Sequence, residues 1–300
     1  CLGCIHAVLA KEPGSCVVNP DVGREYKLSG VDLDIQPRKI LVAGGGPAGM
    51  AAARQFAHFG HTVLLAEKTN ALGGLLALGG KAPGRGELND ILNFFKTELD
   101  RLGVDIRLET ELSRELIDEF DPDQVILATG SMPKMPVIKG LFTTKMDLVS
   151  SVDVISGAET VKDKVVVLGG GMTGLITADF LAAQGKEVVV LNRQKSYASE
   201  MSSNDRYYLR ESLKSHGVRL FKNAVIRTVT DDGVTFKSGD QEVCLTGFDS
   251  VVISEQHESI KTAKKLEKTS RADFFLIGDA KSPRHLMYCI SEAREIAMSE

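Results

Sequence analysis

Apolar and polar positions along this chain fall into a pattern that occurs twice. Residues 39–67, KILVAGGGPAGMAAARQFAHFGHTVLLAE, open with an apolar run, pass three glycines and close on a second apolar run, Thr62–Ala66. Between the runs, Gly49, Ala52, Ala53, Phe56 and Ala57 follow i, i+3, i+4, i+7, i+8. That spacing predicts a helix with one face on a sheet, stopped at Gly60, between two strands. Residues 164–193 repeat the unit. Lys164, Gly169, Gly171, Gly174 and Gly185 each stand 125 positions after Lys39, Gly44, Gly46, Gly49 and Gly60, and the stripe recurs at Gly174, Thr177, Ala178, Leu181 and Ala182. Five coincident offsets mark an internal duplication.

Elsewhere the pattern predicts an amphipathic helix over about 87–102 and strands at 104–108 and 124–128. The latter ends in Ala128-Thr129-Gly130, and the proline-bearing stretch 131–140 reads as a crossover. A helix over 203–216 follows, and 217–221 begin a meander. A hairpin turns at Asp231-Asp232-Gly233, a strand spans 248–254, and a short buried strand at 274–277 leads through Gly278-Asp279 into a terminal helix. Residues 1–38 carry little periodicity.

The glycine turns carry the chemistry. Gly44 allows a tight turn after the strand, Gly46 lets backbone N–H groups approach a pyrophosphate, and Gly49 lets the helix lie close to the sheet. Pro47 suits the first helical turn, beside Ala48. The second strand delivers Glu67, followed by Lys68, and the Glu67 oxygens can accept both hydroxyls of an adenosine ribose. Gly73-Gly74 and Gly79-Gly80 let backbone run close to a flat ligand. No cysteine lies there, which argues against disulfide-reductase chemistry. Two such units imply two nucleotides, most simply a bound flavin and an exchangeable nicotinamide. The second turn uses Gly169, Gly171 and Gly174. The 125-residue offset carries Glu67 onto Asn192, which with Arg193 and Lys195 favours NADPH over NADH, an idle or adenine-only site being the alternative. Asp279, beside Gly278, is a candidate for the flavin's ribityl or pyrophosphate group, or else a helix cap.

Cys1, Cys4 and Cys16 have the spacing of a metal or iron-sulfur site that lacks a fourth ligand, His6 being the nearest substitute; plain thiols are the other reading. With 300 residues, 43% hydrophobic and 25% charged, the chain has room for two domains. A net charge of -4 and a pI near 5.9, without a basic block, argue against nucleic acid. No apolar run reaches bilayer length and no signal peptide is evident; five cysteines, an odd number with three crowded at one end, fit a reducing cytoplasm better than a secreted disulfide framework. The start at Cys1 reads as a piece of a longer polypeptide.

With these residues assembled, the chain resembles the carboxyl-terminal half of the 2,4-dienoyl-CoA reductase and trimethylamine dehydrogenase family of Old Yellow Enzyme-like NADH:flavin oxidoreductases. The resemblance rests on the cysteine segment with Val18-Asn19-Pro20 and Gly23-Arg24-Glu25, the GGGPAGMAA turn, LGG with Pro83-Gly84, ATG, the second GGG turn and IGDA, in that order. It implies an α/β fold of two Rossmann-like doubly wound domains in a glutathione reductase-type architecture. Residues 1–37 would form a cysteine-containing junction, 38–145 plus 266–300 the FAD domain, and 146–265 the NAD(P) domain. It further implies a partner absent from this chain, an amino-terminal TIM barrel whose FMN reduces an enoyl or dienoyl C=C bond, and a homo-oligomer at full length. The chain would pass reducing equivalents from NAD(P)H through FAD, with no catalytic side chain of its own. The alternatives are a nucleotide-binding module with a degenerate nicotinamide site and a donor like the glutamate synthase small subunit. Against the family pattern, Ala7 or Val8 stands where a third cysteine falls, Ile176 where glutamate is common, and Ser254-Glu255-Gln256-His257 where Ala/Thr-x-Gly is usual.

Overall fold

The structure, a computed structural model, describes residues 4, 5, 8, 16–23, 25–27, 36–254, 256–260, 264–268 and 270–299. Among these, residues up to Gly80, those of Gly86–Met132 and those from His257 onward form one compact unit; Lys81–Arg85 and Pro133–Gln256 form a second.

In the first unit, β1 (Lys39–Ala43), β2 (Thr62–Ala66), β3 (Asp105–Arg107), β4 (Gln124–Leu127) and the late strand β15 (Asp273–Leu276) make a parallel sheet in the order β15-β4-β1-β2-β3. Helices cover both faces of a parallel sheet, so β1 and β4 read as nearly unbroken apolar runs and bury four residues each. The helix Pro47–His58 packs Ala52, Ala53 and Phe56 into a core with Ile40, Val42, Leu65, Phe95, Leu99 and Ile126. Its alanines leave room for the terminal helix Leu286–Met298, whose Ile290, Ala293 and Ala297 join the same core. Part of the junction is folded here too: Val17 is buried in this core and Arg294 pairs with Asp21.

The strand at 274–277 does not have the buried character that its apolar letters suggest. It is β15, at the sheet edge, where Phe274 and Phe275 are half-buried and Leu276 is 39% exposed. The stretch 73–80 is a short helix, Gly74–Gly79. Two other helices, Arg114–Phe120 and Ser151–Ser156, are too short to impose a periodicity; serine caps, Ser113 and Ser150, start them.

The strands β5 (Ser131–Pro133) and β14 (His257–Ser259) form a two-stranded ribbon. In the second unit, β6 (Asp147–Ser150), β7 (Lys164–Leu168), β8 (Glu187–Leu191), β9 (Arg219–Phe221) and β13 (Ser250–Ile253) make a parallel sheet in the order β6-β13-β7-β8-β9. The duplication therefore reaches the third strand, because β9 stands beside β8 as β3 stands beside β2. The meander begins one strand later than 217–221 suggested: β10 (Ala224–Val229), β11 (Gly233–Ser238) and β12 (Gln241–Thr246) form an antiparallel sheet.

Candidate functional site: two glycine cradles

The first cradle is built by close backbone approaches. Gly44 has φ +110°, and a Cβ there would lie 2.3 Å from the Ala128 carbonyl oxygen; one on Gly49 would lie 1.8 Å from that of Gly44. Gly45, not singled out from sequence, is equally constrained, since a Cβ would meet Leu72 Cδ2 at 2.4 Å. Gly46 differs: a Cβ there meets nothing within 4 Å. It is the N-cap of the helix Pro47–His58, has extended backbone and offers no side-chain cap. Pro47 has no N–H, so the donors at this helix start belong to Ala48 and Gly49, at the positive end of the helix dipole. The open space and the helix start coincide, as an anionic diphosphate requires.

Glu67 ends β2 and is buried, 8% exposed. Its Oε2 accepts from Gly45 N at 2.6 Å, and its Oε1 accepts from Thr69 N at 2.8 Å and Thr69 Oγ1 at 2.7 Å. Three of about four acceptor directions are thus used by the chain, leaving room for one ribose hydroxyl on Oε2 rather than both. Lys68 is exposed. Gly74 approaches the turn, its Cβ position 3.3 Å from Gly46 Cα. Thr129 is strapped to its own chain, Oγ1 donating to the Ile260 carbonyl, while Ile260 N donates to that of Gly130.

The second cradle reproduces the backbone but not the opening. Gly169 has φ +117°, and a Cβ on Gly174 would lie 2.0 Å from the Gly169 carbonyl. At Gly171, the counterpart of Gly46, a Cβ would lie 3.0 Å from Glu200 Oε1, which accepts a hydrogen bond from Met172 N. Gly170 is covered by Asn192 and the Tyr197 ring, 2.5 and 3.0 Å from its Cβ position. Asn192 is 5% exposed and turned inward: Nδ2 donates to the Gln194 and Ser196 carbonyls, and Oδ1 accepts from Gln194 N. Both its N–H donors are spent on this loop, whereas Arg193 is exposed. Ser254 occupies the place that Ala128 has in the first cradle. Its buried hydroxyl lies near Gly174 and has no partner among the described residues.

Asp279 sits in a 3-10 turn, Gly278–Ala280, and the terminal helix starts later with His285 as N-cap, so Asp279 does not cap that helix. It accepts from the Ser131 hydroxyl at 2.9 Å and from Arg284 N at 3.2 Å, and Ser131 Oγ lies 3.1 Å from His257 Nδ1. Burial lowers the His257 pKa, against the opposing charge of Asp279, and keeps the ring neutral near pH 7. Gly278 has φ +59° and packs on Ala48, its Cβ position 2.6 Å from the alanine methyl. Buried Glu292 holds that turn by accepting from Gly278 N at 2.8 Å, and it pairs with Arg284 and Lys281. Burial raises the Glu292 pKa, but Arg284, the Gly278 N–H and Lys281 outweigh it and leave it below the usual carboxylate range. Fourteen residues separate Glu292 from Gly278, a distance that no local motif spans.

Residues 38–293 match the family described as pyridine nucleotide-disulphide oxidoreductase. The chain belongs to this family. It is 33% identical to the cinnamate reductase of Clostridium sporogenes over 99% of this chain and 45% of that protein, and 32% identical to the NADH oxidase of Thermoanaerobacter brockii over 94% and 44%. Among solved structures, a 2-naphthoyl-CoA reductase in complex with 2-naphthoyl-CoA superposes with a TM-score of 0.91 at 30% identity, covering 98% of this chain and 45% of that one. The chain therefore spans about half the length of the relatives it matches. Together these relatives place it as the FAD/NAD-binding part of the 2,4-dienoyl-CoA reductase and trimethylamine dehydrogenase-like oxidoreductases.

For a member of this family, the first cradle fits the adenine half of a flavin dinucleotide. Its opening, its uncapped helix and its carboxylate lie in one place. The second fits less well, because the chain's own carboxylate stands at the helix start. Cys1 and His6 lie outside the described residues. Cys4 is exposed and Cys16 half-buried, both free, and among the described residues no group of three metal-ligating side chains comes together. No helix among the described residues is long and apolar enough to cross a membrane.

Proposed function

We propose that this chain is the FAD- and NAD(P)H-binding module of an NAD(P)H:flavin oxidoreductase. FAD is held by the first unit, whose bounds are Met132 and His257 rather than the 145 and 266 expected from sequence, and the pyridine nucleotide by the second, Pro133–Gln256. The observation that carries the reading is the opening at Gly46, set against an uncapped helix N-terminus with Glu67 alongside. A bound flavin supplies the acceptor for hydride from a nicotinamide, chemistry that belongs to the cofactors. The chain's residues bind and orient. The Ala48 and Gly49 N–H groups would hold the diphosphate, Glu67 Oε2 would accept one ribose hydroxyl, and Asp279, fixed by Ser131 and Arg284, would hold the ribityl or pyrophosphate group. The remainder of the polypeptide is proposed to carry an FMN-bearing barrel that reduces an enoyl or dienoyl C=C bond. Iron analysis of that whole polypeptide tests whether Cys1, Cys4 and Cys16 contribute to a cluster at the junction.

The test is anaerobic addition of NADPH or NADH to the FAD-loaded chain while following the flavin's visible absorption. Rapid bleaching supports the module. No bleaching with either nucleotide supports a second reading, a flavin-binding module with a degenerate nicotinamide site, which the inward Asn192 and the Glu200 contact favour.

A further inference from the structure

The two cradles are internal copies, so each is a control for the other. At the first, the helix starts with Pro47, which has no N–H, and the space at Gly46 is open. At the second, Met172 brings an N–H to the same place, and that N–H donates to the Glu200 carboxylate, which also abuts Gly171. Glu200 is delivered by the segment from Asn192 to the helix Ser203–Ser215. The segment is tied down by the Asn192 side chain on the Gln194 and Ser196 carbonyls, by Ala198 N on the Gly170 carbonyl at 2.9 Å, and by the Tyr197 ring against Gly170. Ala198 is 1% and Met201 7% exposed, so its anchors are core residues while Glu200 itself is half-buried.

We propose that Glu200 is a built-in competitor for the dinucleotide: its carboxylate occupies the pyrophosphate position of the second cradle, and a pyridine nucleotide binds only when the Glu200 side chain turns away from Met172 N. Two negative groups cannot share one helix start, and the N-terminal dipole favours whichever is present. The inference deepens the functional reading above and rests on its assignment of a pyridine nucleotide to this cradle.

It makes an unusual demand, that removing a polar side chain from a binding site should tighten binding. In the FAD-loaded chain, titration calorimetry with the oxidised nucleotides NADP+ and NAD+, which cannot reduce the flavin, should show Glu200→Ala binding at least about fivefold tighter than the native chain, the size expected when an internal helix cap no longer competes. Glu200→Gln keeps the shape and loses the charge, so it should fall between the two. Equal or weaker binding by both variants, with binding still measurable, overturns the competitor and leaves the nucleotide assignment standing. No binding by the native chain or by either variant overturns both.

Discussion

At the scale of single residues, the glycines separate what folds the chain from what it binds. Gly49 is structural: an added methyl 1.8 Å from the Gly44 carbonyl forces strand and helix apart, and Gly49→Ala should cost about 3 kcal/mol in denaturant melts. Gly46 is functional. Gly46→Asp meets open space and extended backbone and supplies a good cap, so stability should stay within about 0.5 kcal/mol while FAD affinity, read by fluorescence titration, falls at least about tenfold. Exposed Arg193 remains the candidate for a 2′-phosphate now that Asn192 faces inward. Arg193→Ala should weaken NADP+ about fivefold more than NAD+ in the same calorimetric titration, and equal loss for both would defeat that role. The roles of Gly44 and Gly49 were legible because a backbone contact demands a particular residue type. Those of Glu200 and Glu292 were not, because a carboxylate far along the chain carries no local signal of what it will cap.

Among elements, the helix Leu88–Arg101 is fixed to the first cradle's helix by Glu98, which pairs with Arg54 at 3.0 Å and Arg101 at 2.8 Å. The Arg101 hydrogen bond, helped by Arg54 and opposed by burial, holds Glu98 down at about 2. A carboxylate depressed in the folded state stabilises above its unfolded value of about 4.5, and that contribution fades as pH falls towards 2. Glu98→Gln should therefore cost about 1 kcal/mol at pH 7, with the gap to the native chain closing as denaturant melts are repeated from pH 5 to pH 3. Elements with long apolar runs or strong periodicity were readable from sequence. The strands β9 and β15 were misread in character, because whether a short apolar run lies inside a parallel sheet, at its edge or in a meander is decided by its neighbours.

For the whole molecule, duplication is the organising fact. Two parallel sheets arise from one unit repeated at a fixed offset, and the copies differ at the mouths of the cradles, at Glu67 against Asn192 and at Gly46 against Gly171 with its Glu200. The chain spans about half the length of the curated relatives it matches. The first cradle is the site proposed for a flavin dinucleotide. Reconstitution of the native chain and Gly46→Asp with FAD, desalting, and mass spectrometry of the released cofactor tests this most directly. One FAD for each native chain and little in the variant is the predicted result; no retained flavin in the native chain, or the same amount in both, would contradict it.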